Sequence, residues 1–201
     1  ILGSGWLLDV PIDELTRQFQ EVHLYDLHHP PQIRKKAESY DNVKLIRADM
    51  TGGVIRKGYE AGKRNSRGRE KKLLNALTGD PFQFIAPPDF IVSVNIMNQL
   101  NILITDYLKE KKAYSPKELL QLDRTIQQHH LEDMVAGKSC IITDFEEVLY
   151  DEEGTWIGTN PLIHVSLPQG NFRSQWQWIF DTRMMYRKEA QTFLNVIAID
   201  L

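Results

Sequence analysis

Apolar residues recur at Ile12, Leu15 and Phe19 in the stretch VPIDELTRQF, behind Asp9 and Pro11, and this spacing predicts a short amphipathic helix. The next stretch, EVHLYDL, alternates and is rich in β-formers. It predicts a strand ending at Asp26, where the prolines of HHPP stop it and can open a helix. A polar helix over 32–40 precedes NVKLIRADMTG, a strand that presents Asp49 at its end. The apolar run 90–94 predicts another strand, with Asn95 at its exit and a helix continuing through Leu100, Leu103, Ile104 and Leu108. Ser115 and Pro116 open a further helix, carrying Leu119, Leu122, Ile126 and Leu131 toward Gly137. KSCIITDFEEVLYD predicts a strand with Asp144 to Glu147 near its exit. Beyond it helical periodicity stops, and PLIHVSLP, SQWQWIF and TFLNVIAIDL predict strands in a hairpin-like edge.

Strands and helices that alternate in this way predict an α/β fold. The expected form is a Rossmann-like open sheet, mostly parallel, with helices on both faces and an antiparallel edge. At 201 residues and 42% hydrophobic content the chain suffices for one domain, 1–201. Its first residues, Ile1 and Leu2, read as the end of a buried strand, so an N-terminal helix and the beginning of that strand are expected upstream.

A formal charge of −3 and an isoelectric point near 6.1 give no overall pull toward nucleic acid or an anionic surface. A single cysteine, Cys140, excludes an internal disulfide framework and fits a reducing compartment, the cytoplasm. No apolar run approaches the roughly 20 residues of a membrane-spanning helix. Charge is unusual only in a basic insertion, 53–79, after the third strand. Between Gly53 and Leu77, eight Lys or Arg face two Glu, and four glycines are expected to interrupt any helix. The stretch reads either as a solvated insertion or as an arm that attracts an acidic acceptor such as nucleic acid.

Polar residues and glycines gather at the strand ends: Gly3, Ser4 and Gly5, then Asp26, Asp49, Asn95 and Asp144. Open α/β sheets bind ligands beyond the carboxyl ends of their strands, and an acid about twenty residues after a glycine turn can accept from ribose hydroxyls. A full G-x-G-x-x-G fingerprint is absent, because Leu8 stands at its third glycine, and no phosphate loop with G-K-[ST] follows. The chain resembles the class I S-adenosylmethionine-dependent methyltransferases through LGSG, LYDL, RADM and VSVNIMNQL, in that order and spacing. Leu7 stands where that family often has a third glycine.

The resemblance implies strand order 3-2-1-4-5-7-6 and S-adenosylmethionine as cofactor. It places Gly3, Ser4 and Gly5 under the methionine part, Asp26 and Leu27 at the ribose, Asp49 and Met50 beside the adenine, and Asn95 at the methyl group. Methyl transfer from a sulfonium needs donor and nucleophile held in line, and a general base where the acceptor is protonated. Asp144, Glu146 and His164 are the candidates, and no metal is implied. The acceptor, small molecule or macromolecule, is unspecified, and a membrane partner is not expected. A non-catalytic binding or scaffolding relative is the alternative, and a nucleotide-linked oxidoreductase is disfavoured by Leu8.

His28 and His29 read as bordering the adenosine pocket or as solvated. His129 and His130 point about 100° apart on a helix and do not suit a shared metal. Trp176 and Trp178 share a strand face and read as sheet packing rather than as a stacking platform.

Overall fold

The computed structural model describes residues 1–66, 77–112 and 114–201. The elements are α1 (Ile12–Gln18), β1 (Val22–Asp26), α2 (Pro31–Ala37), β2 (Val43–Arg47), α3 (Val54–Ser66) and β3 (Ile91–Val94). They continue with α4 (Ile102–Glu110), α5 (Pro116–Glu132), β4 (Ser139–Tyr150), β5 (Trp156–Pro161), β6 (Phe172–Asp181) and β7 (Gln191–Asp200). Local chemistry accounts for several boundaries. At the start of α5, Ser115 Oγ accepts from the Glu118 amide while Glu118 Oε2 accepts from the Ser115 amide at 2.7 Å. This capping box supplies partners for amides that the first turn leaves open. In α2, Pro31 stands at the first helical position, where a missing N–H costs nothing.

The expected single sheet, mostly parallel in the order 3-2-1-4-5-7-6, does not form. β1 and β2 make a two-stranded parallel sheet, while β3, β4, β7 and β6 make a mixed sheet with β5 added on β4. Within the mixed sheet only β3–β4 is parallel; β4–β5, β4–β7 and β6–β7 are antiparallel. Ahead of Gly3 the chain makes isolated parallel bridges from Leu2 to Tyr25 and to Ser93, and Gly3 then turns it with φ +80°. The C-terminal third contributes three strands that all pair antiparallel, so those pairings outnumber the parallel ones.

PLIHVSLP does not form the expected strand either. Asp151 Oδ1 accepts from the amides of Glu153 and Thr155, which reverses the chain early and lays β5 back along β4. The segment after Pro161 instead runs over α5, where Gln127 donates to the Leu162 carbonyl at 2.9 Å and accepts from the His164 amide at 2.7 Å.

Two apolar clusters divide the strand side chains. Leu24 joins Ile12, Ile33 and Leu7 on the side of α1 and α2, while its neighbour Tyr25 joins Ile104, Leu122 and Ile141 on the side of α3, α4 and α5. Period-two alternation makes this division possible. β5 and β6 lie outside both clusters, and Trp176 and Trp178 are 45% and 41% exposed, contrary to the reading of them as sheet packing.

Within the described part of the basic insertion, Val54–Ser66 is helical, against the expectation that its glycines interrupt a helix. Gly58 and Gly62 are one turn apart on α3 and let α4 approach. A Cβ at Gly58 would lie 2.7 Å from Ile104 Cγ1, and one at Gly62 would lie 2.6 Å from Tyr107 Cε1. Tertiary contact thereby overrides propensity, with Val54 and Ala61 buried beside it. Arg67 and Arg69 lie outside the described residues.

Packing of this kind fixes the sign of a substitution. Gly58→Ala removes a helix cost of about 1 kcal/mol yet overpacks the α3–α4 contact by about 1–3 kcal/mol, so net destabilisation is expected. Urea unfolding measures it, and a stabilised variant would contradict the packing.

Candidate functional site

The first residues set the rim. Leu2, 1% exposed, donates to the Val92 carbonyl at 2.8 Å and accepts from the Val94 amide at 2.9 Å, while the Ile1 carbonyl accepts from Tyr25. The following turn is pressed onto the exit of β3. A Cβ at Gly3 would meet Ile96 Cβ at 2.6 Å and the Val94 carbonyl at 2.8 Å, so only glycine fits there. Leu7, standing where a glycine is common in the family resembled, takes a glycine-like φ of +56° while burying its side chain with Val10 and Ile12.

Asp26, at the end of β1, joins this turn to the next. Its Oδ2 accepts from the Gly5 amide at 2.8 Å and its Oδ1 from the His28 amide at 3.1 Å. Ser4 is buried, and its Oγ lies 3.2 Å from Nε2 of His29. Burial holds the His29 pKa below its ordinary value, with the Asp26 charge opposing that shift. His29 is therefore part of the turn's foundation, whereas His28 is exposed.

Beyond the carboxyl ends of β1, β2 and β3 lies a cleft of about 320 Å³, lined by Asp26, Leu27, Ala48, Met50, Ile55, Ile96, Gln99, Leu100, Ile102 and Leu103. Of the expected cofactor residues, Asp26, Leu27 and Met50 line it; Gly3, Ser4, Gly5, Asp49 and Asn95 do not. Asp49 is occupied locally, its Oδ1 accepting from the Thr51 amide at 2.9 Å and from the Thr51 hydroxyl at 2.6 Å, which closes the turn before α3. A larger concavity, about 470 Å³, opens at the opposite strand ends among Glu21, His23, Tyr25, Phe84 and Pro87. None of the expected site residues lines it.

Asn95 belongs to a second group beside the cleft. With φ +46° it leaves β3 in a left-handed conformation that asparagine tolerates better than most residues. Its amide nitrogen donates to Asp9 Oδ2 at 3.2 Å. One turn on, the Asn98 amide nitrogen donates to Asp144 Oδ2 at 3.3 Å. Asp144 sits in β4 beside a register shift, between Asp144 and Glu146, that breaks the regular alternation. Burial pushes its carboxyl up from 3.8 to about 6; the Asn98 hydrogen bond opposes this, and the Asp9 charge adds to it. Among the described residues, the buried oxygens Asn95 Oδ1, Asn98 Oδ1 and Asp144 Oδ1 find no hydrogen-bond partner.

The other candidate bases stand apart from this group. Glu146 accepts from Asn195 at 2.7 Å, and the hydrogen bonds of His164 are backbone contacts to Arg124 and Gln127 on α5. His130 is a core residue, its Nε2 at 2.8 Å from Ser93 Oγ, with burial lowering its pKa to about 4. Among the described residues no group of three His, Cys, Asp or Glu is placed to hold a metal, and no helix is long and apolar enough to cross a membrane. Sequence reasoning missed Asn98 and Asp9. The repeat of asparagine three residues apart in NIMN was the available signal for the first.

Compared with models of protein families, with curated proteins and with solved structures, the chain matches none.

The folded state takes up a proton on Asp144 more readily than the unfolded chain does. Stability therefore falls as pH climbs from 3.8 through about 6. Asp144→Asn removes that loss and is expected to be more stable than the parent by on the order of 2 kcal/mol above about pH 7, with no advantage below about pH 4. Urea unfolding across that range reads the difference, and a pH-independent gap would contradict the assignment.

Proposed function

We propose that the cleft binds S-adenosylmethionine and that the chain transfers its methyl group to an acceptor seated beside Asn95, Asn98 and Asp144. The observation that carries this reading is the character of the cleft. It opens at the carboxyl ends of parallel strands, has apolar walls that suit a purine, and carries one carboxylate, Asp26, at its rim. Its volume of about 320 Å³ falls at the lower end of the range for small-molecule sites, about 300–1,000 Å³.

Charge selects among adenosine-containing ligands. Among the described residues no Lys or Arg lines the cleft, and its surroundings hold Asp9, Asp26 and Asp144. A pyrophosphate would meet repulsion there, whereas a sulfonium cation gains from the same carboxylates. This supports the methyl donor over a dinucleotide. With Asp26 holding the ribose, the sulfonium would face the exit of β3, and methyl transfer would proceed by alignment of donor and nucleophile. The unpaired Cys140 accords with work in a reducing compartment, the cytoplasm.

One observation favours a second reading, a non-catalytic module that keeps the framework. Both oxygens of Asp26 already accept backbone amides, so the residue has a purely structural use. Each oxygen retains a further lone pair for a hydroxyl.

Calorimetry with S-adenosylhomocysteine separates the two. The methyltransferase reading expects binding with a Kd in the micromolar range, weakened at least about tenfold by Leu103→Trp, which places an indole in the cleft from a residue that is 69% exposed. Absence of heat at about 1 mM ligand would contradict it.

A further inference from the structure

The outer strand of a sheet presents unpaired backbone donors and acceptors, and short length, charge and proline are the usual guards against pairing with another chain. β5, at one edge of the mixed sheet, has six residues and ends in Pro161; β2, in the two-stranded sheet, has five and carries Lys44 and Arg47. β6 closes the mixed sheet on its other side without such guards. It runs for ten residues, contains no lysine or proline, and among the described residues its outer side pairs with no strand. Its side chains are open as well. Phe172, Trp176, Trp178, Ile179 and Phe180 are each between 39% and 64% exposed. Trp176 and Trp178 are paired across β7 with Val196 and Leu194, which are buried, so the exposed indoles continue a row whose inner members are already covered.

We propose that β6 is the seam of a two-fold dimer, in which it pairs antiparallel with β6 of a second copy of this chain and joins two mixed sheets into one. The strand itself selects a second copy as the occupant, because it reads nearly alike in both directions about Gln177. A two-fold axis there sets Trp176 of each copy against Trp178 of the other, and Gln175 against Ile179. Aromatic pairs directly across a ladder are among those that stabilise a sheet. The two charged residues of the strand, Arg173 and Asp181, stand near opposite ends, so the same pairing brings each beside the opposite charge of the other copy. Asp181 accepts from the amides of Arg183 and Tyr186, which fixes its carboxylate at the strand end, and each oxygen keeps a lone pair. At about 150–250 Å² per large side chain, the exposed fractions of the five apolar residues amount to roughly 500 Å² per copy, or about 1,000 Å² for the pair. That is the size at which a specific interface becomes sustainable, before the backbone strip is added. The seam uses no residue that lines the cleft, so it holds whether or not the cleft binds S-adenosylmethionine.

Sedimentation velocity on the chain at about 10 μM is expected to show a dimer with a Kd in the low micromolar range or below. Trp178→Lys puts a charge into the seam and should raise that Kd at least about tenfold. Arg173→Glu leaves both ends of the strand acidic and should weaken the dimer less, with an effect that shrinks in high salt. Both side chains are exposed in the single chain, so far-ultraviolet circular dichroism is expected to be unchanged. Under mild oxidation Gln177→Cys should give a disulfide-linked dimer, because the axis passes through that position, whereas Ser174→Cys and the parent chain with Cys140 alone should not. This cross-link decides the matter if Trp178→Lys fails to fold. A monomer at about 100 μM, or a dimer that survives Trp178→Lys and is not cross-linked at Gln177, would overturn the seam. A monomer that instead retains a labelled single-stranded oligonucleotide, and loses it on Trp178→Lys, would also overturn it and give the aromatic face to nucleic acid.

Discussion

Backbone pairing of the segment that leads into Gly3 with both β1 and β3 holds the candidate site together. Ile1 and Gly3 are hydrogen-bonded to β1 on one side, and Leu2 to β3 on the other, so the exits of those strands lie side by side although neither pairs with the other. That pairing gives the two-stranded and five-stranded sheets a common rim. Gly3 then lets the chain turn within contact distance of Ile96, and Asp26 fastens the turn through Gly5. The cleft is what remains open when the ends of β1, β2 and β3 are fixed in this way.

The electrostatics of the rim follow from the same geometry. Strand exits carry Asp26, Asn95 and Asp144, and the turn adds Asp9, while among the described residues the lining of the cleft holds no cation. Burial disfavours the ionised form of Asp144, and the Asp9 charge adds to that. On the proposed reading, a sulfonium donor gains from this acidic rim as a cation.

Much of the local structure was legible in the sequence because its signals are local. Ser115, Pro116 and Glu118 mark a helix start through hydrogen bonds within one turn, and the prolines after Asp26 stop a strand by removing donors. The sheet plan was not legible, because it depends on how far a strand continues beyond Leu2 and on where the C-terminal hairpins reverse. Asp151 and Thr155 decide the latter through hydrogen bonds that a β-rich composition does not announce. Gly58 and Gly62 misled for a related reason: their helix-breaking tendency is intrinsic, whereas the close approach of Ile104 and Tyr107 that uses them is tertiary. Of the residues that line the cleft, Asp26 was legible from spacing, whereas Met50 was implied only by the family resemblance. The pairing of Asn98 with Asp144, 46 residues apart, was not legible from spacing.

The central claim is that the cleft holds an adenosyl group with its ribose at Asp26 and its sulfonium toward Asn95. A crystal structure with S-adenosylhomocysteine tests it most directly. The account predicts purine density between Met50 and Leu103 and a ribose hydroxyl within hydrogen-bond distance of Asp26, with the Gly5 amide still bound to Oδ2. Ligand density in the concavity at Glu21 and Pro87, or a saturated crystal with the cleft unoccupied, would contradict it.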